Sequence, residues 1–303
     1  MTELIPHCIW PLGAQLGEGP IWHAAERAVY FVDIKGHTIH RLLVDSGQRD
    51  SWPTPGPPGF LVPAKNDRFI CGLNNGLYYF DPFPAATQHF TPIVGVESEL
   101  PENRLNDGYV DAQGRLWFGT MHDDESDPSG TLYTWGEGDA LVVRDRGYVI
   151  TNGPVMSANG RTLYHTDTLK RIIYAFDVGG DGSLTRKRTF LTFGGDANPG
   201  YVGYPDGMAI DAQGCLWVAF FGGWRIDRFS PQGVIMSSVR FPCANITKLA
   251  FGGSDLRTVY VTTATKGLSP LDLLRQPLAG GLFSFKSPAS GLPQNHCSLG
   301  LVA

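Results

Sequence analysis

Five polar side chains stand at nearly one distance ahead of recurring aromatic residues. Glu18, Asn106, Asn152, Asp206 and Lys248 precede Tyr30, Trp117, Tyr164, Trp217 and Tyr260 by 11 or 12 residues. Brought together, two carboxylates and two amides make an oxygen-rich donor set. That set suits hard or borderline divalent cations: Ca²⁺, Mg²⁺ or Mn²⁺, and also Zn²⁺ or Fe²⁺. The charges of Glu18 and Asp206 would balance one such ion. Each site alone reads as a turn, because Asn-Asp-Gly and Asp-Gly are common turn formers. Recurrence at one offset favours a site instead, and Glu18 is not a turn former. A sixth aromatic, Phe69, has only Pro57, Pro58 and Gly59 at the same station.

A shared offset demands repeated elements. The run Asp-Ala-Gln-Gly followed by Leu-Trp occurs from Asp111 and again from Asp211. Weaker copies surround the other aromatics. The six anchors, Tyr30, Phe69, Trp117, Tyr164, Trp217 and Tyr260, are spaced 39 to 53 residues apart. A second run of alternating apolar residues follows each anchor: Ile39–Leu42, Leu77–Phe80, Thr131–Thr134, Ile173–Phe176, Ile226–Phe229 and Gly281–Phe285. Period-two alternation bounded by Gly, Asp and Pro means strands. A repeat of about 40–50 residues with four strands is a propeller blade. The sequence therefore predicts an all-β, six-bladed β-propeller of four-stranded antiparallel blades, one domain over residues 1–303. The sixth unit supplies three strands, Ile246–Phe251, Thr258–Thr263 and Leu282–Phe285. His7–Leu12 is expected to complete it, pairing the two chain ends in one blade and removing a sheet edge. Residues 194–204 and 267–277 read as insertions, with a short helical turn at Leu271–Arg275. Asp111 and Asp211 read as turn caps. In such a fold the innermost strands face the axis, so the five polar residues form a ring at the channel mouth.

Composition narrows the function. The chain has 303 residues, a net charge of −5, 38 glycines and 22 prolines. Nothing in that balance serves nucleic acid or an anionic membrane. No basic leader precedes an apolar stretch at the start, and no apolar run approaches the length of a membrane helix. The expectation is a soluble cytoplasmic protein. The five cysteines lack CxxC spacing. Cys71 and Cys215 lie in apolar runs and read as buried, reduced thiols. The eight histidines lack HExxH spacing, which argues against a His-rich zinc site. His122 ends a strand near the ring and is placed to reach a ligand; His165 reads as structural. The acidic run Asp123–Asp127 reads as an exposed loop. There is no GxSxG elbow and no P-loop.

Five motifs in order, LGEGPIW (16–22), RLNDGYVDAQGRLWFGTM (104–121), TNGP (151–154), YPDGMAIDAQGCLWVAF (204–220) and LLRQPLAGGLF (273–283), resemble those of the SMP-30/gluconolactonase/regucalcin family over essentially the full chain. The bacterial sugar-lactonase branch is the nearest in look. The resemblance implies one catalytic divalent metal (Ca, Zn, Mn, Mg or Fe(II)) on Glu18, Asn152 and Asp206. It implies substrate contacts from Arg104 and Asn106. A further family contact, a Glu shortly after Gly-Thr-Met, falls on the shorter Asp124.

The expected reaction is hydrolysis of an aldonolactone, a pentono- or hexonolactone, to the aldonic acid. The cation polarises the ring ester and activates water, Asp206 serves as general base, and Arg104 and Asn106 hold sugar hydroxyls or the developing oxyanion. Two alternatives stay open at this stage. One is a propeller hydrolase of other esters or organophosphates. The other is a non-catalytic calcium-binding or interaction propeller, since propellers host unrelated functions. A small-molecule partner and a monomeric chain fit the first reading.

Overall fold

The computed structural model describes residues 4–65, 68–74, 76–83, 88–136, 140–194 and 200–298. A short strand, β1 (His7–Trp10), leads into blade 1: β2 (Gly17–His23), β3 (Ala28–Asp33), β4 (Thr38–Leu43) and β5 (Arg49–Pro53). Blade 2 is β6 (Pro58–Pro63), β7 (Phe69–Leu73), β8 (Gly76–Phe80) and β9 (Phe90–Gly95). Blade 3 is β10 (Asn103–Val110), β11 (Leu116–His122), β12 (Gly130–Trp135) and β13 (Leu141–Tyr148). Blade 4 is β14 (Thr151–Met156), β15 (Thr162–Asp167), β16 (Ile172–Val178) and β17 (Leu184–Thr192). Blade 5 is β18 (Tyr204–Ile210), β19 (Leu216–Phe221), β20 (Arg225–Phe229) and β21 (Ile235–Arg240). Blade 6 is β22 (Asn245–Gly252), β23 (Thr258–Ala264) and β24 (Leu282–Lys286), with β1 as its outer strand, in the order β1-β24-β23-β22.

These are six four-stranded antiparallel sheets. Their inner strands touch in the cycle β2, β6, β10, β14, β18, β22 and back to β2. The molecule is a six-bladed propeller, closed as the sequence predicts. Cys8 pairs with Phe283 and Trp10 with Leu282. The seam is tightened where Ala14 donates to Gly280 O at 2.9 Å and Thr247 Oγ1 donates to Gly17 O at 2.6 Å. Gly280 has a φ of +73°, and a Cβ there would sit 2.4 Å from the Ala14 backbone, so glycine is required.

Each anchor lies on the second strand of its blade and is at most 8% exposed. The anchors wedge between neighbours. The Tyr30 and Phe69 ring centroids are 4.6 Å apart across blades 1 and 2. Trp217 meets Phe251 edge-on at 5.8 Å across blades 5 and 6. Inner and second strands are almost wholly buried, while β13, β17 and β21 are largely exposed. Hydrophobic burial therefore runs between blades rather than around one core. Residues 195–199 of the first insertion lie outside the described residues. The second insertion carries α1 (Pro270–Arg275), capped by a reciprocal Ser269–Asp272 box.

The duplicated Asp-Ala-Gln-Gly turns do the same structural task twice. Asp111 Oδ1 accepts the Gln113 and Arg115 amides, and its Oδ2 accepts Trp117 Nε1 at 2.9 Å. Asp211 repeats this with Gln213, Cys215 and Trp217, also at 2.9 Å to the indole, and adds Arg228 Nε at 2.8 Å. The turn cap thus also pins the anchor tryptophan. Asp211 is fully buried. Replacing it with Ala orphans a buried guanidinium and an indole N–H, and should destabilise the fold by about 3–5 kcal/mol. Denaturant unfolding of Asp211→Ala beside the parent protein measures this. A loss below about 1 kcal/mol would show that the cap is dispensable.

Candidate active site

Every inner strand breaks register at the same height. The break follows Glu18 in β2, Pro58 in β6, Leu105 in β10, Asn152 in β14, Pro205 in β18 and Ile246 in β22. A bulge leaves residues out of the ladder and re-aims their side chains. Six bulges around an axis therefore aim six stations at one point. In blade 2 the unpaired residue is Gly59, where a Cβ would lie 2.3 Å from Leu105 O. The neighbouring backbone leaves no room for a side chain, which explains the missing polar residue there.

A cavity of about 340 Å³ opens at the N-terminal ends of the inner strands. Glu18, Arg104, Asn106, Asn152 and Asp206 all line it. A second cavity, about 260 Å³, opens at the opposite end; among the described residues its lining has Lys248 as the one charged residue and no acid. The chemistry belongs to the upper cavity.

Lys248 departs from the expected ring. In β10 the unpaired residue is Asn106 and Asp107 resumes pairing, with Gly119. In β22 the unpaired residue is Thr247, and Lys248 resumes pairing, with Thr262. Lys248 thus occupies the station of Asp107, one level lower, and its Nζ donates to Asp107 Oδ1. This buried pair lies under the ring. Asp107 Oδ2 also accepts the Gly153 amide at 3.0 Å, beside Asn152.

The upper ring is wired in one direction. Lys35 Nζ donates to both Asp123 oxygens at 2.8 Å. Arg104 Nε donates to Asp123 Oδ1 at 2.6 Å, and Arg104 Nη1 to Asn106 Oδ1 at 2.6 Å. Asn106 Nδ2 donates to Thr151 O at 2.6 Å and to Asn152 Oδ1 at 3.0 Å. Asn152 Nδ2 donates to Thr168 Oγ1 at 2.9 Å. Both amides are thereby held with their oxygens oriented, each oxygen keeping one lone pair. Both hydrogens of Asn106 Nδ2 are committed, so Asn106 offers a ligand an acceptor. These bonds leave the Arg104 Nη2 hydrogens, together with one hydrogen each on Asn152 Nδ2 and Lys35 Nζ.

Glu18 and Asp206 are 6% exposed. Burial, then the Asp107 charge, pushes the Glu18 carboxyl up to about 8, against Lys248, the Gly19 amide and Arg104. Burial, then Glu18, then Asp107, raises Asp206 well above the usual carboxylate range, opposed by Lys266. Two desolvated like charges are costly in a dry site. Together with the oriented Asn152 oxygen, they form a donor set that fits a hard cation. Among the described residues no group of three His, Cys, Asp or Glu side chains is placed to hold a metal. The cation would take the two carboxylates, the Asn152 amide oxygen and water.

The loop after β11 corrects the sequence reading. Asp124 is exposed and is absent from the cavity lining. Its amide donates to His122 Nδ1 at 3.2 Å. The Glu125 amide closes a turn on His122 O at 3.0 Å, and Glu125 takes a φ of +60°. That left-handed residue swings its own carboxylate into the cavity wall, where Asp124 was expected. His122 braces this turn and does not line the cavity. Asp123, read as exposed loop, is half-buried; burial pushes its carboxyl up, but Lys35 and Arg104 outweigh this and hold it below the usual range. Lys266 also lines the cavity. It stands just past β23, after its blade's anchor and not ahead of it.

Residues 16–265 match the SMP-30/Gluconolactonase/LRE-like region family. The chain belongs to this family. The 6-deoxy-6-sulfogluconolactonase of Pseudomonas putida is 30% identical over 284 residues, covering 94% of this chain and 95% of that protein. The L-arabinolactonase of Azospirillum brasilense is 34% identical, covering 91% and 90%. A solved calcium-binding protein, regucalcin of Agrobacterium tumefaciens, superposes with a TM-score of 0.90 at 25% identity, covering 99% of this chain and all of that one. Among the described residues, no helix is long and apolar enough to cross a membrane.

The raised carboxyls set a pH dependence. With its folded pKa near 8 against an ordinary 4.5, Glu18 holds more proton in the folded state across that interval. Stability of the chelated protein should therefore fall as pH rises from about 4.5 to 8, by up to about 1.4 kcal/mol per pH unit for one proton. A divalent cation prefers the ionised pair, so its stabilisation should grow over the same range. Melting curves against pH, with chelator and with added Ca²⁺ or Mn²⁺, read both slopes. Parallel curves would count against a cation site here.

Proposed function

We propose that this chain is a sugar lactonase that opens an aldonolactone to the aldonic acid with the help of one divalent cation. The observation that carries the reading is the pair of buried carboxylates, Glu18 and Asp206, facing oriented amide oxygens and Arg104 in one small cavity. The named activities of its lactonase relatives support it. The volume of about 340 Å³ lies at the small end of ligand pockets, which suits a monosaccharide lactone over large esters.

Glu18, Asn152 and Asp206 would hold the cation, which when bound supplies Lewis-acid polarisation of the ester carbonyl. Arg104 Nη2 donates to sugar oxygens or to the carbonyl oxygen as it gains charge. Asn106 Oδ1 accepts from a sugar hydroxyl, and its position is fixed through Arg104 and Thr151. The Asp206 carboxylate takes a proton from water as the water oxygen bonds to the lactone carbon. It returns that proton to the ring oxygen as the carbon–oxygen bond breaks. Leu16, Ile34, Met121, Ile150 and Phe221 line the same cavity and exclude bulk water from the reacting ester.

Glu18→Gln and Asp206→Asn preserve shape and remove charge. Each should lower kcat/KM on aldonolactones at least about 100-fold, with Glu18→Gln also losing bound metal by elemental analysis. Wild-type turnover in the Asp206 variant would remove Asp206 from the base role; a parent protein that binds the cation and opens no lactone would favour the non-catalytic calcium-binding propeller instead.

A further inference from the structure

The cavity mouth carries one more charged pair. Lys266 Nζ donates to Glu125 Oε1, each side chain about one-third exposed, at 32%. Both residues line the cavity. They come from blades three places apart in a ring of six, so the pair spans the opening. The two partners are anchored very differently. The Lys266 amide donates to Gln15 O at 2.9 Å, and its carbonyl accepts Asn245 Nδ2 at 2.9 Å. Lys266 is thus built on the framework of blade 6 and its seam with blade 1. Glu125 is a left-handed residue that closes a tight turn on the loop after β11.

Other cations near the site have their roles. Arg104 is 2% exposed and bound to Asp123 and Asn106, and Lys35 is held by Asp123. Lys266 stands apart from that Asp123 network, and its counter-charge is Glu125.

We propose that Lys266 reads an anionic substituent on the substrate, a carboxylate, sulfonate or phosphate on the exocyclic carbon of the sugar, and that Glu125 occupies this anion position in the free protein. This rests on the lactonase reading above. With the ester at Glu18 and Asp206 on the cavity floor, the exocyclic group points toward the mouth. A partly exposed ion pair is weak, so an incoming anion exchanges with Glu125 at little cost. Glu125 then turns into water, and Lys266 stays paired. A hydroxymethyl group cannot make this exchange and meets the closed pair. Glu125 and Lys266 thereby set a preference between acidic and neutral lactones of one ring size.

The test uses the metal-loaded full chain and three probes: D-gluconolactone, D-glucarolactone with a terminal carboxylate, and 6-phosphogluconolactone. The readout is the ratio of kcat/KM for each acidic lactone to that for the neutral one. In Lys266→Gln both ratios should fall, the better of the two by about tenfold or more and through KM. Lys266→Arg should restore most of the loss. In Glu125→Gln the ratios should rise, because the competing carboxylate is gone. The larger wild-type ratio tells carboxylate from phosphate recognition. A purely structural latch would move both variants the same way on all three lactones and leave the ratios unchanged; that result overturns the proposal. If the wild type opens none of the three, the lactonase reading fails. Calorimetric binding of the same three lactones then still gives the ratios, and equal ratios in wild type and Lys266→Gln would overturn the anion reading by itself.

Discussion

The site depends on carboxylates being held together against their own repulsion. Glu18, Asp206 and Asp107 crowd the axis of the propeller, and each ionised acid disfavours the next. An open sheet would relax by letting strands part. A closed ring cannot, because moving one blade outward opens the aromatic seams on both sides, such as Tyr30 against Phe69. Blade 6 makes the closure whole-chain, since β1 comes from one end and β22 to β24 from the other. The strain at the axis is thus opposed by hydrophobic burial far from it. The same crowding makes the axis a place where a divalent cation gains most.

Lys248 limits the cost from below. Its pair with Asp107 brings one positive charge to the underside of the acidic group, and Asp107 in turn fixes the Gly153 amide next to Asn152. From above, Asp123 gathers Lys35 and Arg104 and passes orientation through Asn106 to Asn152. Each amide in this chain can satisfy its donors in one orientation only, so the acceptors that face the cavity are set before any ligand arrives. Preorganisation of this kind sits on strands, and the bulges in those strands supply the aim.

Most of this was legible in the sequence, for a physical reason. Blade repeats require an aromatic wedge at the second strand, and the chain length from ring to wedge is fixed by one strand and one hairpin. Glu18, Asn106, Asn152 and Asp206 could therefore be found by counting. Counting failed where a bulge shifts the register by a single residue. Lys248 met the offset but belongs one level down, because the residue out of register in β22 is Thr247. It failed again after β11, where the chain leaves the ladder. There a left-handed φ at Glu125, which side-chain pattern does not encode, decides which acid faces the cavity. Lys266 is reached from the far end of its blade's hairpin and shares no spacing with the ring.

The two Asp-Ala-Gln-Gly copies show how such a fold separates stability from chemistry. Asp111 and Asp211 bind the same backbone amides and the same indole, at matching distances. Five residues ahead of each copy, Asn106 and Asp206 leave the ladder at equivalent bulges. The turn and the anchor are tied to packing, because the tryptophan they fix fills the seam between blades. The bulged residue lies off the aromatic seams, and its side chain lines the cavity, Asn106 also bonding across to blade 4. Selection can therefore exchange an amide for a carboxylate there without rebuilding the blade. Stations of this kind let one architecture vary its polar groups from blade to blade while the repeats that build the blades stay the same.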